Sequence, residues 1–343
     1  MLLVRKNEMI PRTVPAWQHH DWQDSLRNAI RDPAELCRLL DLPEEIASRA
    51  AAADFPVRVP HEFLARMRRG DPTDPLLRQV LPLDDEMQPQ PGFGTDPIGE
   101  IKFNSAPGLI HKYRGRALLI VSGACAVNCR YCFRRHFPYN SNNLSPSLRA
   151  GTLKAINDSL ELSEIILSGG DPLSVSDTFL SSLVSDLADI PHLRRLRIHT
   201  RLPVVIPQRI TDALVQILTT SRLKPVMVVH INHAAEIDAS VTEALGRLHK
   251  AGIQLLNQCV LLRGINNNVD ALAELSEKLF DSDILPYYLN VLDPVQGAAH
   301  FDVPDTEALA LYDQLRQRLP GYLVPRLVRD GSDAPYKRLL LGN

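Results

Sequence analysis

From residue 118 to residue 291 the chain alternates short apolar, β-branched runs with helical stretches, and it does so six times. The runs occupy 118–122, 164–168, 196–200, 225–231, 254–262 and 285–291, with helical patterns such as 241–251 and 269–280 between them. Strands separated by helices at intervals of roughly 30 residues pair in parallel, because each helix carries the chain back across the sheet. The pattern predicts an α/β fold, a partial parallel (β/α)6 barrel over 106–322. Six units fall short of the complete eight-stranded barrel. Residues 1–105 read differently. Two helical stretches, 21–40 and a shorter one at 63–69, are separated by proline-rich turns that end in QPQPGFG at 88–94. They are expected to form a mainly helical accessory region on the barrel, with 323–343 as a short C-terminal segment.

The chain has 343 residues, 45% hydrophobic and 23% charged, enough to bury a core of this size. A net charge of −2 gives no general attraction to nucleic acid or to an anionic membrane. No apolar run is long enough to cross a bilayer. The opening MLLVRKNEMIPRTVPAW has four apolar residues before Arg5 and Lys6, too few for a secretory signal, so a cytoplasmic location is expected. The cysteines are Cys37, Cys125, Cys129, Cys132 and Cys259, an odd number that argues against a disulfide framework. Cys37 and Cys259 read as plain buried thiols. The other three lie within eight residues and point to metal or redox chemistry.

In parallel barrels the chemistry sits at the C-terminal ends of the strands. The polar motifs fall there: CAVNCRYC at 125–132, SGGD at 168–171, HTR at 199–201, HINH at 230–233, and Asp293. Spacing C-x3-C-x2-C directly after the first strand supplies three thiolates. Three leave one iron of a four-iron cluster without a protein ligand, open to a small molecule. Structural zinc is the alternative, but it normally takes four ligands; His136 stands near enough in sequence to be the fourth. The glycines of SGGDP allow close backbone approach to a ligand, although most such turns only connect elements.

With Tyr131 before the third cysteine, the motif resembles that of the radical S-adenosylmethionine superfamily. There the turn matching Ser168, Gly169, Gly170 and Asp171 binds the methionine amino group. The stretches CFRR from Cys132, SGGDPL, RIHTRLPVVIPQRI from Arg197, HINHAAE and NQCVLLRGIN, together with DPLLRQVLP from Asp74, resemble the lysine 2,3-aminomutase family over residues 74–337. CAVNCRYCFRRHFPY and VQGAAHF are similar to its compact bacterial branch, which supplies β-lysine for modification of translation elongation factor P. The resemblance implies a [4Fe-4S] cluster on Cys125, Cys129 and Cys132, S-adenosyl-L-methionine, and pyridoxal 5′-phosphate held as a Schiff base on Lys337. The intervening residues from Gly331 to Tyr336, GSDAPY, depart from the family's glycine-rich turn.

The same resemblance places Lys112, Tyr113 and Arg116 against the pyridoxal cofactor, and Gln258 among the cofactor-binding positions. Read alone, HKYRGR is more simply a basic surface turn. Arg134 is placed to pair with the α-carboxylate of the substrate in bidentate fashion. Asp293 and Asp330 match the pair that holds the distal ammonium of lysine; read singly, each is a loop residue. Implied chemistry is conversion of α-lysine to β-lysine through a 5′-deoxyadenosyl radical. Implied partners are lysine, an external electron donor and a functional link to an elongation factor P ligase, with no nucleic acid and no membrane. Two other readings stay open: an aminomutase for another amino acid, and a metal-stabilised binding module.

Overall fold

The computed structural model describes residues 21–331 and 334–340. Ten strands form one sheet in sequence order: β1 Asn104–Ala106, β2 Leu109–Tyr113, β3 Arg116–Ser122, β4 Glu164–Gly169, β5 Arg195–Thr200, β6 Lys224–His230, β7 Gln254–Val260, β8 Leu285–Asn290, β9 Arg326–Arg329 and β10 Arg338–Leu339. Pairing is parallel from β3 to β9, and antiparallel between β1 and β2, β2 and β3, and β9 and β10. The six expected strands appear as β3 to β8, each within two residues of its predicted bounds at either end. β9 adds a seventh parallel strand. Its four residues, RLVR, are too few to show a periodic signal, and pairing with β8 is what fixes them as a strand.

Local chemistry explains the regularity. β4 is buried along its whole length, as expected of a strand covered on both faces, while β5 alternates half-buried and buried residues. The helices that follow β4, β5, β6 and β7 begin on side-chain caps. Ser176, Thr211, Asp238 and Asn268 accept hydrogen bonds from the first-turn amides of Asp177–Ala188, Asp212–Thr220, Ala239–Lys250 and Val269–Asp281.

The accessory region is helical but shorter in its pieces than expected. The stretch 21–40 splits into Trp22–Arg27 and Pro33–Leu39. Proline lacks an amide hydrogen, so Pro33 starts a helix capped by Asp32 rather than continuing one, and Ile30 in the gap bridges to Val59. The stretch 63–69 is helical only as His61–Leu64. These pieces share one core with the barrel: Trp22, Leu36 and Phe63 belong to the same buried cluster as Leu167, Ile198, Val229 and Leu255. No helix among the described residues is long and apolar enough to cross a membrane.

Candidate active site

Beyond Ser122 the chain turns across the C-terminal mouth of the barrel. Its packing there is set by the two glycines ending β4. The Gly170 amide donates to the Ser122 carbonyl at 2.7 Å, and the Asp171 amide to that of Ala124 at 2.8 Å. A Cβ on Gly170 would lie 2.6 Å from the Ala124 oxygen, and one on Gly169 2.4 Å from the Ser122 oxygen. Gly169 also has a φ of 127°. The close approach these glycines permit is therefore first of all that of the chain's own cysteine loop. Asp171 is likewise used internally. Its carboxylate accepts from the Thr200 hydroxyl and from the amides of Leu173, Arg201 and Leu202, tying the end of β4 to that of β5.

Cys125, Cys129 and Cys132 line one cavity with about 1120 Å³ of empty space, its open mouth included, ample for more than one small molecule. Arg134, Ser168, Gly169, Gly170, Asp171, Gln258, Asp293 and Lys337 line it too. Burial first, then the neighbouring thiols and Asp171, push the Cys125 thiol well above its ordinary range; burial and Cys129 push Cys132 up to about 11. Three sulfurs crowded in a dry place repel one another as thiolates, and a cationic iron core at the same place would reverse that balance. No group of three or more His, Cys, Asp or Glu among the described residues is arranged to hold a single metal ion. A cluster differs in spreading its thiolates over several irons. His136 turns to the Gln296 carbonyl at 3.3 Å. Cys37 and Cys259 are buried and free, with Cys259 pushed up to about 12 by burial.

The cysteine loop is clamped from outside the barrel. Arg130, fully buried, places Nε and Nη2 on the two oxygens of Glu86 at 2.8 and 2.6 Å, and donates to the carbonyls of Phe55 and Ala51. Arg135 adds bonds to Glu86 and to the Gly297 carbonyl, both at 3.1 Å. Arg134 lies between these anchors. Both nitrogens of its fork are held by Glu100 at 2.6 Å, and Nη1 donates to Ser168 Oγ at 2.9 Å. Burial opposes the charge on Arg134, but Glu100 outweighs it and the guanidinium stays protonated. The bidentate face expected for a substrate carboxylate is thus filled by Glu100. A carboxylate ligand meets Nη1 beside Ser168, or displaces Glu100 from the fork.

Lys337 Nζ donates to Asn290 Oδ1 at 2.8 Å, lies 3.7 Å from Asp330 Oδ2, and sits 5.5 Å from the Tyr288 ring centroid. Lys112, Tyr113, Arg116 and Asp330 form an adjoining cluster joined to the cavity through Lys337. Asp330 Oδ1 accepts from Lys112 Nζ at 2.6 Å and from Tyr113 Oη at 2.7 Å, and Arg116 stacks on the Tyr113 ring at 4.6 Å. Two of the three residues expected against a pyridoxal cofactor are therefore engaged with a carboxylate, leaving Arg116 as the freer cation. A recess sharing Lys337 adds Arg326, Arg338 and Tyr288.

Burial pushes the Asp293 carboxyl up to about 7; Lys337 opposes this, while Asp330 and Glu100 add to it. Asp330 is also buried, but Lys337, Lys112 and Tyr113 outweigh that and hold it below the usual carboxylate range. Of the expected turn residues, Gly331 is described, whereas Ser332 and Asp333 lie outside the described residues, as do the N-terminal residues that suggested a cytoplasmic chain.

Two histidines on the cavity wall are kept neutral. Burial drives His199 well below its ordinary range and His230 down to about 3. His230 Nε2 accepts from the Gln258 amide at 2.8 Å, whereas His199 Nε2 is buried and without a partner among the described residues. An orphaned polar atom on the wall of a large cavity is what a ligand would satisfy. The sequence motifs contain both histidines and Arg201 but give none of them a role. Glu100, Asn290 and Glu86 carry no sequence signal, because each acts through a partner distant in the chain; Gln79 stands in the DPLLRQVLP stretch, which gives it no role.

A parallel barrel whose first parallel strand feeds a C-x3-C-x2-C loop across its mouth defines an enzyme of the radical S-adenosylmethionine class. The chain is 50% identical over 320 residues to the L-lysine 2,3-aminomutase of Escherichia coli K12, covering 92% of this chain and 93% of that one. It is 47% identical to that of Haemophilus influenzae, covering 96% and 98%, and 34% identical to that of Clostridium subterminale, covering 94% and 78%. The chain belongs to the L-lysine 2,3-aminomutase family. No family model matches it. Among solved structures, Streptococcus suis SuiB bound to S-adenosylmethionine aligns at a TM-score of 0.46 and 15% identity over 64% of this chain and 51% of that one. A radical SAM methyltransferase from Sphaerobacter thermophilus aligns at 0.45 and 18%, over 64% and 68%.

Proposed function

We propose that the chain moves the amino group of L-lysine from C2 to C3, giving β-lysine, with a [4Fe-4S] cluster on Cys125, Cys129 and Cys132 and pyridoxal phosphate on Lys337. The observation that carries this reading is that a single cavity is lined by the three cysteines, by Lys337 and by Asp293. When bound, the cluster with S-adenosylmethionine supplies a hydrogen-abstracting radical, and pyridoxal phosphate a conjugated ring that carries the migrating amine. Arg116 and the neighbouring Arg326 and Arg338 are the cations best suited to a phosphate.

The chain's own residues orient and shield. A primary ammonium suits the acidic pair: that of Lys337 lies 3.7 Å from Asp330 and favours the ionised form of Asp293, which supports the reading. Once that amine is engaged elsewhere, its charge leaves and the two carboxylates favour the distal ammonium of a substrate. Arg134 Nη1, beside Ser168, offers the charge for the substrate carboxylate. Neutral His199 and His230 line the cavity without adding to its positive charge.

The three parts of the chain divide this work: 1–105 supports the cysteine loop, 106–322 carries the cluster end of the site, and 323–343 brings the lysine. Free thiols destined for iron fit a reducing cytoplasm. An external low-potential donor supplies the electron. The compact branch the sequence resembles makes the link to an elongation factor P ligase the natural use of the product. The test is anaerobic reconstitution with iron, sulfide and pyridoxal phosphate, then incubation with lysine, S-adenosylmethionine and reductant, with analysis for β-lysine. A brown protein forming β-lysine is expected. A colourless protein that retains zinc and makes no product would overturn the reading; turnover of a different amino acid would change only its substrate.

A further inference from the structure

Arg201 follows β5 and is almost completely buried. Its Nη1 lies 2.7 Å from Cys129 Sγ and 2.8 Å from Tyr131 Oη, while Nη2 donates to Gln79 Oε1 at 2.6 Å and to Glu236 Oε2 at 2.8 Å. The guanidinium therefore stands between one sulfur and one carboxylate, its charge turned toward the sulfur. Its partners are themselves fixed. The other oxygen of Glu236 accepts from Gln79 Nε2 at 3.0 Å and from the Asn232 and His233 amides at 2.9 and 3.1 Å. Asn232 Nδ2 donates to both Gln79 Oε1 and Tyr131 Oη. Of the three cysteines, only Cys129 is contacted in this way among the described residues.

A charged donor on a cluster sulfur stabilises the state carrying one electron more, because the added negative charge is partly neutralised and the N–H···S bond strengthens. We propose that Arg201, held by Glu236 and Gln79, sets the reduction potential of the cluster through its contact with Cys129. The cluster takes one electron from an external low-potential donor and no proton moves. Glu236 acts against Arg201 in this arrangement: it holds the guanidinium in place and offsets part of its field. The proposal rests on the cluster assignment given under Proposed function.

Opposite charge changes at the two positions separate a tuning role from a merely structural one. Arg201→Gln removes the positive charge and leaves Glu236 with Arg66 alone as a nearby cation, so the midpoint potential falls. Glu236→Gln removes the opposing charge, so the midpoint rises; the single carboxamide oxygen can serve either Arg201 or the three donors on the other side, not both. Each shift is expected to reach at least tenfold in the reduction equilibrium, about 59 mV for one electron. Arg201→Lys keeps the charge and moves the potential less than Arg201→Gln. The measurement is a titanium(III) citrate titration of the reconstituted proteins without S-adenosylmethionine, followed by electron paramagnetic resonance of the reduced cluster, with iron and sulfide content determined alongside.

If the unmutated protein gives no iron–sulfur signal, the cluster assignment itself fails. If it does and Arg201→Gln loads with an unchanged midpoint, the tuning role is refuted. If Arg201→Gln does not load, Glu236→Gln decides: a rise supports the proposal and an unchanged midpoint overturns it. Failure of all three variants to load assigns the network to cluster assembly and also overturns it.

Discussion

At Lys337 and Asp293 two groups of opposite preference share one cavity, and each makes a separate prediction. Lys337→Ala is expected to lose the visible band of bound pyridoxal phosphate and nearly all β-lysine formation, while iron and sulfide content stay normal. Borohydride reduction followed by peptide mapping checks the attachment directly, and a label on Lys224 or Lys278 would show the wrong lysine was chosen. Asp293 titrates near 7 because burial disfavours its charge. A neutral Asp293 must lose its proton to hold an ammonium, so affinity for the cationic substrate drops as pH falls. With Lys337 engaged by pyridoxal phosphate its ammonium no longer lowers Asp293, so the profile of kcat/KM for lysine is expected to fall tenfold per pH unit below a limit at or above about 7. Asp293→Asn removes that limb and lowers kcat/KM at neutral pH by roughly 10²–10³ or more, the equivalent of about 3–5 kcal/mol for breaking a buried charge pair. A wild-type profile that is flat across this range would refute the assignment.

The turn after β4 and the cysteine loop act as one element, because each occupies space that only the other's glycines and carbonyls leave free. Gly170→Ala drives a Cβ into two backbone oxygens and is expected to abolish stable cluster loading, read as iron per chain. Gly151→Ala, in the helix Pro146–Asp158 with open space around it, instead raises stability by about 0.5–1 kcal/mol. This element shows how far the sequence can be read. The strands β3 to β8 were legible because apolar periodicity is a local signal, and the cysteines because three thiols at short spacing have few structural uses. Glu86 was not legible. It sits in the acidic run DDEM, which resembles a solvated surface turn, and its partner Arg130 is 44 positions away. Arg201 stood in a recognised HTR motif, but the sulfur it contacts is 72 positions away, and no periodicity reports a contact of that range.

Across the whole molecule, the accessory region and the barrel hold one another through buried charge as well as through a shared core. Glu86 carries two arginines, Arg130 and Arg135, with no exposure of any of the three side chains. Removing it leaves Arg130 without a carboxylate in a dry place and Arg135 with only the half-exposed Asp54. Glu86→Ala is expected to lower the unfolding free energy by about 3–5 kcal/mol, whereas the exposed neighbour Asp85→Ala stays within about ±0.5 kcal/mol. Equal denaturation midpoints for the two would mean the clamp contributes nothing. The bond from Lys112 to Asp330 bears on the order in which the molecule comes together. It joins residues 218 positions apart, and the hairpin of β1 and β2 has to wait for the strand β9 before that bond can form. Contacts of such long separation form slowly, since a large loop must close before they yield any stabilisation. During refolding, pulsed hydrogen exchange should find the amides of β4 to β6 protected before those of β9. Simultaneous protection would show that the molecule closes in one step. In the expected order the thiol-bearing side of the barrel matures first, and the newly made chain passes through an interval in which the iron and sulfide of the proposed cluster would reach the thiols through a flank not yet closed.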